Sequence, residues 1–339
     1  MNMRHIRSGS WQHAATALLM LGATSCSANA QAIDPRDPHS PLRLMRTIAL
    51  QSVHGRIDHL ALDPRNNRLF IAELGNGTVD EVDLASGMVI GRISGLHEPQ
   101  GVAWLPAQDE IAVASGDGSV RFYRQSDRQE VARISLGDDA DNVRIDPRNQ
   151  NLVVGYGSGG LAVIDPKTHR LVQQMQLPGH PEAFAILGPR VFVNVPEAHK
   201  IVIGDLDQGR IIKSLATGVH FGNYPMAGDI RGSRIGVAFR VPSVLSVIDA
   251  ESGSTRTNTT ICGDADDVFF RDQSVVIVCG EGVVEIVGDA GQRTVRVATR
   301  PGARTGLIDF DRNRLFVAVP AHQGSAAIWE LSFQSPMRQ

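Results

Sequence analysis

Long apolar runs are missing from this sequence. The apolar run at residues 14–21 is shorter than the roughly 20 apolar residues that a helix needs to span a bilayer. No later segment is apolar enough to cross a membrane, so we expect no transmembrane segment.

Clustered positive charge is also missing. The chain has 33 Lys and Arg against 36 Asp and Glu, a net charge of −3, and its basic residues are scattered. Nucleic-acid binding depends on concentrated positive charge, so the composition argues against DNA or RNA as the main partner.

Recognisable catalytic motifs are missing too. The sequence has no HExxH-like metal spacing and no Gly-x-Ser-x-Gly elbow in a strand-to-helix setting. The Gly-rich residues 155–160 join two predicted strands and open no helix, which argues against a phosphate-binding loop. We interpret four histidines as surface or loop residues rather than ligands: His54, His59, His199 and His220. Because no convincing catalytic group emerges, we favour a role other than that of an enzyme.

The first thirty residues have the pattern of an export signal. Its parts are a basic region (Arg4, His5 and Arg7), the apolar run at residues 14–21, and an A-x-A cleavage site at Ala28-Asn29-Ala30. Cleavage there gives a mature chain that starts at Gln31 and has a net charge of −5, since the removed segment holds two Arg and no acid. This predicts a periplasmic or secreted protein. Lipidation at Cys26 is the alternative, although Ala23 stands where lipoproteins usually have Leu.

A short apolar phrase recurs through the chain with a period near 41 residues. Successive copies begin 42, 41, 41, 42, 42 and 39 residues apart, at Leu60, Val102, Val143, Phe184, Met226, Val268 and Leu307. Seven copies at this period are typical of a propeller with four strands per blade.

Each copy alternates strand-like and turn-like segments. In the first copy, residues 57–63, 68–74, 78–84 and 88–94 are the predicted strands, and Pro, Asn and Gly residues fill the turns between them. No stretch of the mature chain has a convincing helical period. We therefore predict an all-β, seven-bladed β-propeller with four-stranded antiparallel blades.

The last copy has residues for three strands only, and a matching strand-like segment, Leu42–Leu50, precedes the first copy. Pairing this segment with Ala326–Phe333 closes the ring and removes two open sheet edges. An ordinary terminal strand on an open solenoid is the alternative. We expect a monomer with a signal peptide (1–30), a linker (31–42), the propeller (43–333) and a C-terminal tail (334–339).

Over residues 43–333, the sequences of the repeats resemble those of a known protein family. The phrases are Gly55-Arg56-Ile57-Asp58-His59-Leu60-Ala61-Leu62-Asp63, Glu98-Pro99-Gln100-Gly101-Val102, Asp138-Asp139-Ala140-Asp141-Asn142-Val143, Cys262-Gly263-Asp264-Ala265-Asp266-Asp267-Val268 and Cys279-Gly280-Glu281-Gly282. In these the chain resembles the YVTN/YncE-like family of bacterial exported seven-bladed propellers. The resemblance implies the fold and export. It implies no activity, because the family has none in common, and the acidic balance of this chain disfavours the nucleic-acid binding known among YncE-like proteins.

The mature chain has two cysteines, Cys262 and Cys279. In the sixth repeat, Cys262 begins the innermost strand and Cys279 ends the strand hairpinned to it through a turn near residues 271–274. Because the two thiols then lie almost opposite each other in an exported protein, we predict a disulfide. A thiol-based catalyst is the alternative, but the register of the repeats places no His near either cysteine.

The loop entering each innermost strand should open onto the central channel. Four of the seven positions two residues before the repeated phrase are acidic. With their neighbours they give the candidate ligand-binding residues Asp58, Gln100, Asp141, Asn142, Glu182, Asn223, Asp266, Asp267 and Arg304. Such oxygens suit Ca²⁺ or another divalent cation, a cationic organic ligand or a polyhydroxyl ligand. A water-filled channel with a polar rim is the alternative.

Arg304 is the one cation that we predict near this ring. It either binds a ligand carboxylate or neutralises Asp266 or Asp267 across the mouth.

The function that we expect is a scaffold that binds a small molecule or a protein at this mouth. A metal-dependent lactonase- or esterase-type hydrolase is the alternative. Such enzymes hold one divalent ion with Glu, Asn and Asp, and this chain offers similar groups in Glu182, Asn142, Asn223 and Asp266. The sequences of its repeats differ from those of that family, so we assign none of these residues as a metal ligand.

Overall fold

The computed structural model describes residues 31–229, 231, 233–291, 295–321 and 325–334. The predicted signal peptide and residues 335–339 of the predicted tail lie outside the described residues. Within the described ranges, helical structure is limited to two 3₁₀ turns, Leu74–Asn76 and Pro196–Ala198. No helix among these residues has the length and apolar character needed to cross a membrane.

The described residues form seven four-stranded antiparallel sheets, which confirms the predicted all-β, seven-bladed propeller. In chain order the strands are β1 Leu42–Leu50, β2 Leu60–Asp63, β3 Arg68–Glu73, β4 Thr78–Asp83, β5 Met88–Ser94, β6 Pro99–Leu105, β7 Glu110–Ser115, β8 Ser119–Arg124, β9 Glu130–Ser135, β10 Ala140–Ile145, β11 Leu152–Tyr156, β12 Gly160–Asp165, β13 Arg170–Gln176, β14 Phe184–Leu187, β15 Arg190–Val195, β16 Lys200–Asp205, β17 Arg210–Ala216, β18 Phe221–Gly228, β19 Arg234–Val241, β20 Ser243–Asp249, β21 Thr255–Thr260, β22 Ala265–Arg271, β23 Ser274–Cys279, β24 Val283–Gly288, β25 Val295–Ala298, β26 Gly306–Asp309, β27 Arg314–Val319 and β28 Ala326–Phe333. Blades one to six are β2–β5, β6–β9, β10–β13, β14–β17, β18–β21 and β22–β25, and blade seven is β26–β28 with β1.

The first strand of each blade lies toward the centre of the ring. There β2 contacts β6 and β26, and β18 contacts β14 and β22. In blades one to six, the outermost strand is more exposed than the second strand. In blade one, Leu69, Phe70 and Ile71 of the second strand are fully buried, whereas the fourth strand of blade four has no buried residue.

Apolar side chains fill the space between neighbouring blades. Phe70 of blade one, for example, packs with Trp104 and Ile111 of blade two. Equivalent clusters join each of the other neighbouring pairs in the described ring. Because burial of one large apolar side chain contributes about 1.5–3 kcal/mol, the blades are stabilised mainly by one another.

Turn chemistry explains where the innermost strands end. A buried Asp lies at or just after that end in four blades: Asp63, Asp146, Asp229 and Asp309. Each carboxylate accepts the backbone N–H of a residue two or three positions on, at 2.9–3.1 Å. An Asp at this position stabilises a tight turn, which brings the second strand back beside the first.

The ring is closed by the N-terminal strand, as the sequence predicts. β1 pairs antiparallel with β28, from Leu42 opposite Phe333 to Leu50 opposite Ala326. It is the outermost strand of blade seven, and its Leu42, Ile48 and Leu50 are at most 1% exposed. The pairing satisfies the backbone groups of both strands and so leaves blade seven with four strands like the others.

The predicted disulfide is also confirmed. Cys262 and Cys279 are bonded, with their Cα atoms 6.1 Å apart. Cys279 ends β23 as expected, and Cys262 lies three residues before β22 rather than at its first residue. The bond therefore fixes the loop that leads into the innermost strand of blade six.

Candidate functional site

Six blades contribute side chains to one small polar cavity where the innermost strands begin. We call it the mouth cavity, and its lining residues are Arg56, Asp58, His59, Asp141, Asn142, Glu182, Ala183, Tyr224, Asp266, Asp267 and Thr305. Its volume is about 30 Å³. This is room for a single ion or about one water molecule.

Irregular strand pairing explains how so many polar side chains reach the cavity. In a regular strand, consecutive side chains alternate between the two faces. In β10 and β22, however, the register shifts between Ala140 and Val143 and between Ala265 and Asp267. Such bulges re-aim side chains, so Asp141–Asn142 and Asp266–Asp267 each contribute two consecutive residues to the cavity.

The structure brings six of the predicted residues together and leaves three outside the lining. The six are Asp58, Asp141, Asn142, Glu182, Asp266 and Asp267. Of the others, the Gln100 amide donates to Asp139 at 2.7 Å, and Arg304 pairs with Asp264 at 3.1 Å.

Asn223 is the third residue outside the lining. It is fully buried and donates to the Asn194 side chain and to the Lys200 carbonyl, each at 3.1 Å. The register of β18 shifts between Asn223 and Met226, and the residue that lines the cavity is the next one, Tyr224.

Close backbone packing explains why blade two contributes nothing to the lining. A Cβ atom on Gly101 would collide with the Asp141 carbonyl oxygen and the Val143 side chain. The glycine therefore lets β6 lie directly against the segment that carries Asp141.

The prediction that Arg304 is the one cation near the ring is wrong. The Arg56 guanidinium lines the cavity 3.1 Å from Asp58 Oδ2, and Arg240 pairs with Asp266 at 2.6 Å. His59 lies in the loop just before β2, in line with its prediction as a surface or loop residue, and it also lines the cavity. Its place in the register, equivalent to Asn142 and Asp267, was the signal that could have identified it.

His59 stands at the centre of a close polar group. Its Nδ1 lies 3.2 Å from Asp58 Oδ1 and 4.0 Å from Asp141 Oδ1, and its Nε2 lies 3.1 Å from Asn142 Oδ1. One potential ligand atom from each of Asp58, His59 and Asp141 lies within 4.8 Å of the other two. Two oxygens and one imidazole nitrogen at such separations could hold a metal ion.

Burial and the neighbouring charges shift the protonation of this group. Burial opposes the charging of His59, but the hydrogen bond and charge of Asp58, together with the charge of Asp141, raise the pKa of His59 to about 9. Burial likewise opposes the ionisation of Asp58, yet His59 and Arg56 lower the pKa of its carboxyl. Asp58 and His59 therefore form an ion pair at neutral pH.

The other acids of the cavity hold their protons more strongly than usual. Burial raises the pKa of Asp141 to about 6, against the opposing charge of His59. Burial also raises the pKa of Glu182 to about 7, with the charge of Asp141 adding to it, and the pKa of Asp267 to about 7 against the charge of His59. Burial makes each of these carboxyls harder to ionise, because it disfavours the charged form.

Asp141 has a polar atom without a hydrogen-bond partner. Among the described residues, its Oδ1 is buried and unpartnered, and Asp141 is only 9% exposed. An unpaired buried polar group costs about 1–3 kcal/mol, so this atom would be stabilised by an additional group in the cavity.

Comparisons with known proteins bear on the fold alone. No protein-family model matches the chain, and no curated protein matches it. Among solved structures, it is similar to a chain of Kuenenia stuttgartiensis hydrazine synthase, at 16% identity and a TM-score of 0.72, over 84% of this chain and 99% of that one. Such a likeness supports the seven-bladed propeller and carries no function across.

Proposed function

We propose that this protein is an exported β-propeller of the YVTN/YncE-like type that binds a small cation at its channel mouth. One observation carries the proposal: five acidic side chains from four blades line a cavity of about 30 Å³. They are Asp58, Asp141, Glu182, Asp266 and Asp267.

Charge favours a cation over the other predicted ligands. Carboxylates this close repel one another, and a bound cation offsets that repulsion. Arg56 and His59 line the cavity and Arg240 pairs with Asp266, so three cations face the five acids of the lining.

Export is supported by two independent features. The first is the signal-like N-terminal sequence, and the second is the disulfide between Cys262 and Cys279, a bond that persists in oxidising compartments. N-terminal sequencing of the protein from a periplasmic or secreted fraction should find Gln31 as the first residue.

The hydrolase alternative shares its candidate residues with the mouth cavity. Glu182, Asn142 and Asp266 line the cavity, whereas Asn223 is hydrogen-bonded inside blades four and five. A lactone and ester panel separates the two functions: we expect no turnover above that of buffer, and turnover would favour the hydrolase.

A thermal-shift panel tests cation binding directly. Chelator-treated mature protein is melted with Ca²⁺, Mg²⁺, Mn²⁺, Zn²⁺ or methylammonium, and with sulfate salts as the anion control. At least one cation should raise the melting temperature in proportion to occupancy. Asp141→Asn with Asp266→Asn should abolish the rise.

Asp138→Asn is the matched control, because it removes one acid from an exposed position of the same loop as Asp141. It should keep the rise. If no cation changes the melting temperature of the parent, the mouth is a polar channel and the proposed function is wrong.

A further inference from the structure

Resting on the proposed function, we propose that Asp58, His59 and Asp141 form a binding site for a divalent transition-metal ion such as Zn²⁺. The site has two carboxylates from different blades and one imidazole. It lies on the blade-one and blade-three side of the mouth cavity.

The donor atoms select the class of metal. Ca²⁺ and Mg²⁺ prefer sets made wholly of oxygen, whereas imidazole nitrogen suits Zn²⁺, Fe²⁺, Co²⁺ and Ni²⁺. Since His59 lies between the two carboxylates, a nitrogen ligand is part of any ion site there.

The distances are close to those of a formed site. Zinc lies about 2.0–2.2 Å from nitrogen and oxygen ligands, which puts two tetrahedral ligand atoms about 3.3–3.6 Å apart. His59 Nδ1 and Asp58 Oδ1 are 3.2 Å apart. Asp141 Oδ1 is 4.0 Å from the same nitrogen, and the three ligand atoms lie within 4.8 Å of one another, so the side chains must move closer together around an ion.

Neighbouring groups already orient the proposed ligands. Metal-binding histidines usually donate their second nitrogen to an oxygen, which fixes the tautomer, and His59 Nε2 lies 3.1 Å from Asn142 Oδ1. In Asp58, Oδ2 faces Arg56 at 3.1 Å, and this leaves Oδ1 toward His59. The proposed ligand atoms Asp58 Oδ1 and His59 Nδ1 therefore face each other.

An independent observation is that an atom assigned to the metal lacks a hydrogen bond. Asp141 Oδ1 is buried and unpartnered among the described residues, and Asp141 is nine-tenths buried within the cavity lining. His59 Nδ1 lies 3.2 Å from Asp58 Oδ1, and binding of the ion displaces the proton between them. The cavity beside Asp141 Oδ1 has room for an ion.

The test is equilibrium dialysis of chelator-treated mature protein against Zn²⁺ and, separately, Ca²⁺. We expect one equivalent of Zn²⁺ that a large excess of Ca²⁺ does not displace. Asn142→Leu, which removes the oxygen beside His59 Nε2, should weaken Zn²⁺ binding about 10–100-fold. His59→Gln and Asp141→Asn should each weaken it by more than that.

Asp138→Asn is the matched control, since it removes an exposed acid from the loop that carries Asp141, and it should keep one equivalent of Zn²⁺. X-ray absorption of the Zn²⁺-loaded parent needs no variant and should show the outer-shell scattering of one imidazole. Absence of that scattering, or equal binding of Ca²⁺ and Zn²⁺, would overturn this site while leaving cation binding at the mouth intact. Loss of every cation response would instead overturn the proposed function as well.

Discussion

Arg46 of β1 and Glu330 of β28 are 284 residues apart in sequence and form an ion pair of 2.6 Å across the closing pair of strands. The Arg46 guanidinium also donates to the Leu84 carbonyl of blade one at 2.6 Å. One side chain therefore joins the N-terminal strand, the C-terminal strand and the next blade.

The first prediction concerns this closure. Leu50→Ala, at a fully buried position of β1, should lower the free energy of unfolding by about 2–5 kcal/mol through lost burial and the cavity left behind. Met45→Ala on the same strand is the control: Met45 is 53% exposed, so its replacement should change stability by less than about 0.5 kcal/mol. Urea denaturation measures both. Deleting residues 31–50 should destabilise the whole ring or cause aggregation, and a deletion that melts like the parent would show that β1 is dispensable.

The second prediction concerns the disulfide of blade six. Cys262 and Cys279 are separated by 17 positions, and closing such a loop stabilises the folded state by about 3 kcal/mol in the chain-entropy model. Cys262→Ser with Cys279→Ser should lower stability by about that amount. Thiol titration of the unreduced, denatured mature protein should find almost no free thiol. Two titratable thiols per chain would contradict the bond.

The third prediction concerns pH. Glu73 is buried in blade one, and burial raises the pKa of its carboxyl to about 8. The hydrogen bond from Thr78 opposes this shift, whereas the negative charge of Asp80 adds to it. Asp80 itself pairs with Arg92. Since the unfolded side chain ionises near pH 4.5, the folded state binds the extra proton between these values. The free energy of unfolding should therefore fall as pH rises from about 4.5 to 8.

Glu73→Gln removes this titration. Between pH 6 and pH 9, the melting temperature of the variant should therefore fall less than that of the parent. Glu98→Gln, at an exposed position, is the control and should follow the parent. Parallel melting curves for the parent and Glu73→Gln would show that the Glu73 carboxyl is already ionised at pH 6.

The fourth prediction concerns the metal-free mouth cavity. Asp141→Asn with Asp266→Asn removes two of the five acids that line it, and Arg240 keeps Asp264 as a partner at 3.2 Å. Because the acids repel one another, the double variant should be at least as stable as the parent when both are melted in chelator. A lower melting temperature for the variant would mean that the positive charges of Arg56 and His59 already more than offset the repulsion between the acids.

The sequence by itself determined the ring. The period near 41 residues, the alternation of apolar side chains and the orphan segment Leu42–Leu50 are all local patterns, and each requires the same antiparallel blades. The disulfide follows from the same register, since the hairpin turn between Arg271 and Ser274 brings Cys279 back toward Cys262. Repetition makes such inferences reliable because every copy must bury the same face.

Only the tertiary structure decided which side chains meet at the mouth. Register places Asn223 and Tyr224 at adjacent positions, but the irregular pairing of β18 puts Tyr224 in the cavity lining and Asn223 within the blades. Arg56 lies outside the repeated phrase, and its guanidinium joins the cavity lining 3.1 Å from Asp58 Oδ2. The raised pKa of Glu182 likewise depends on burial and on Asp141, a residue of another blade. Bulges, loop paths and desolvation arise when distant segments pack together, so the periodic pattern of a single chain does not encode them in a readable form.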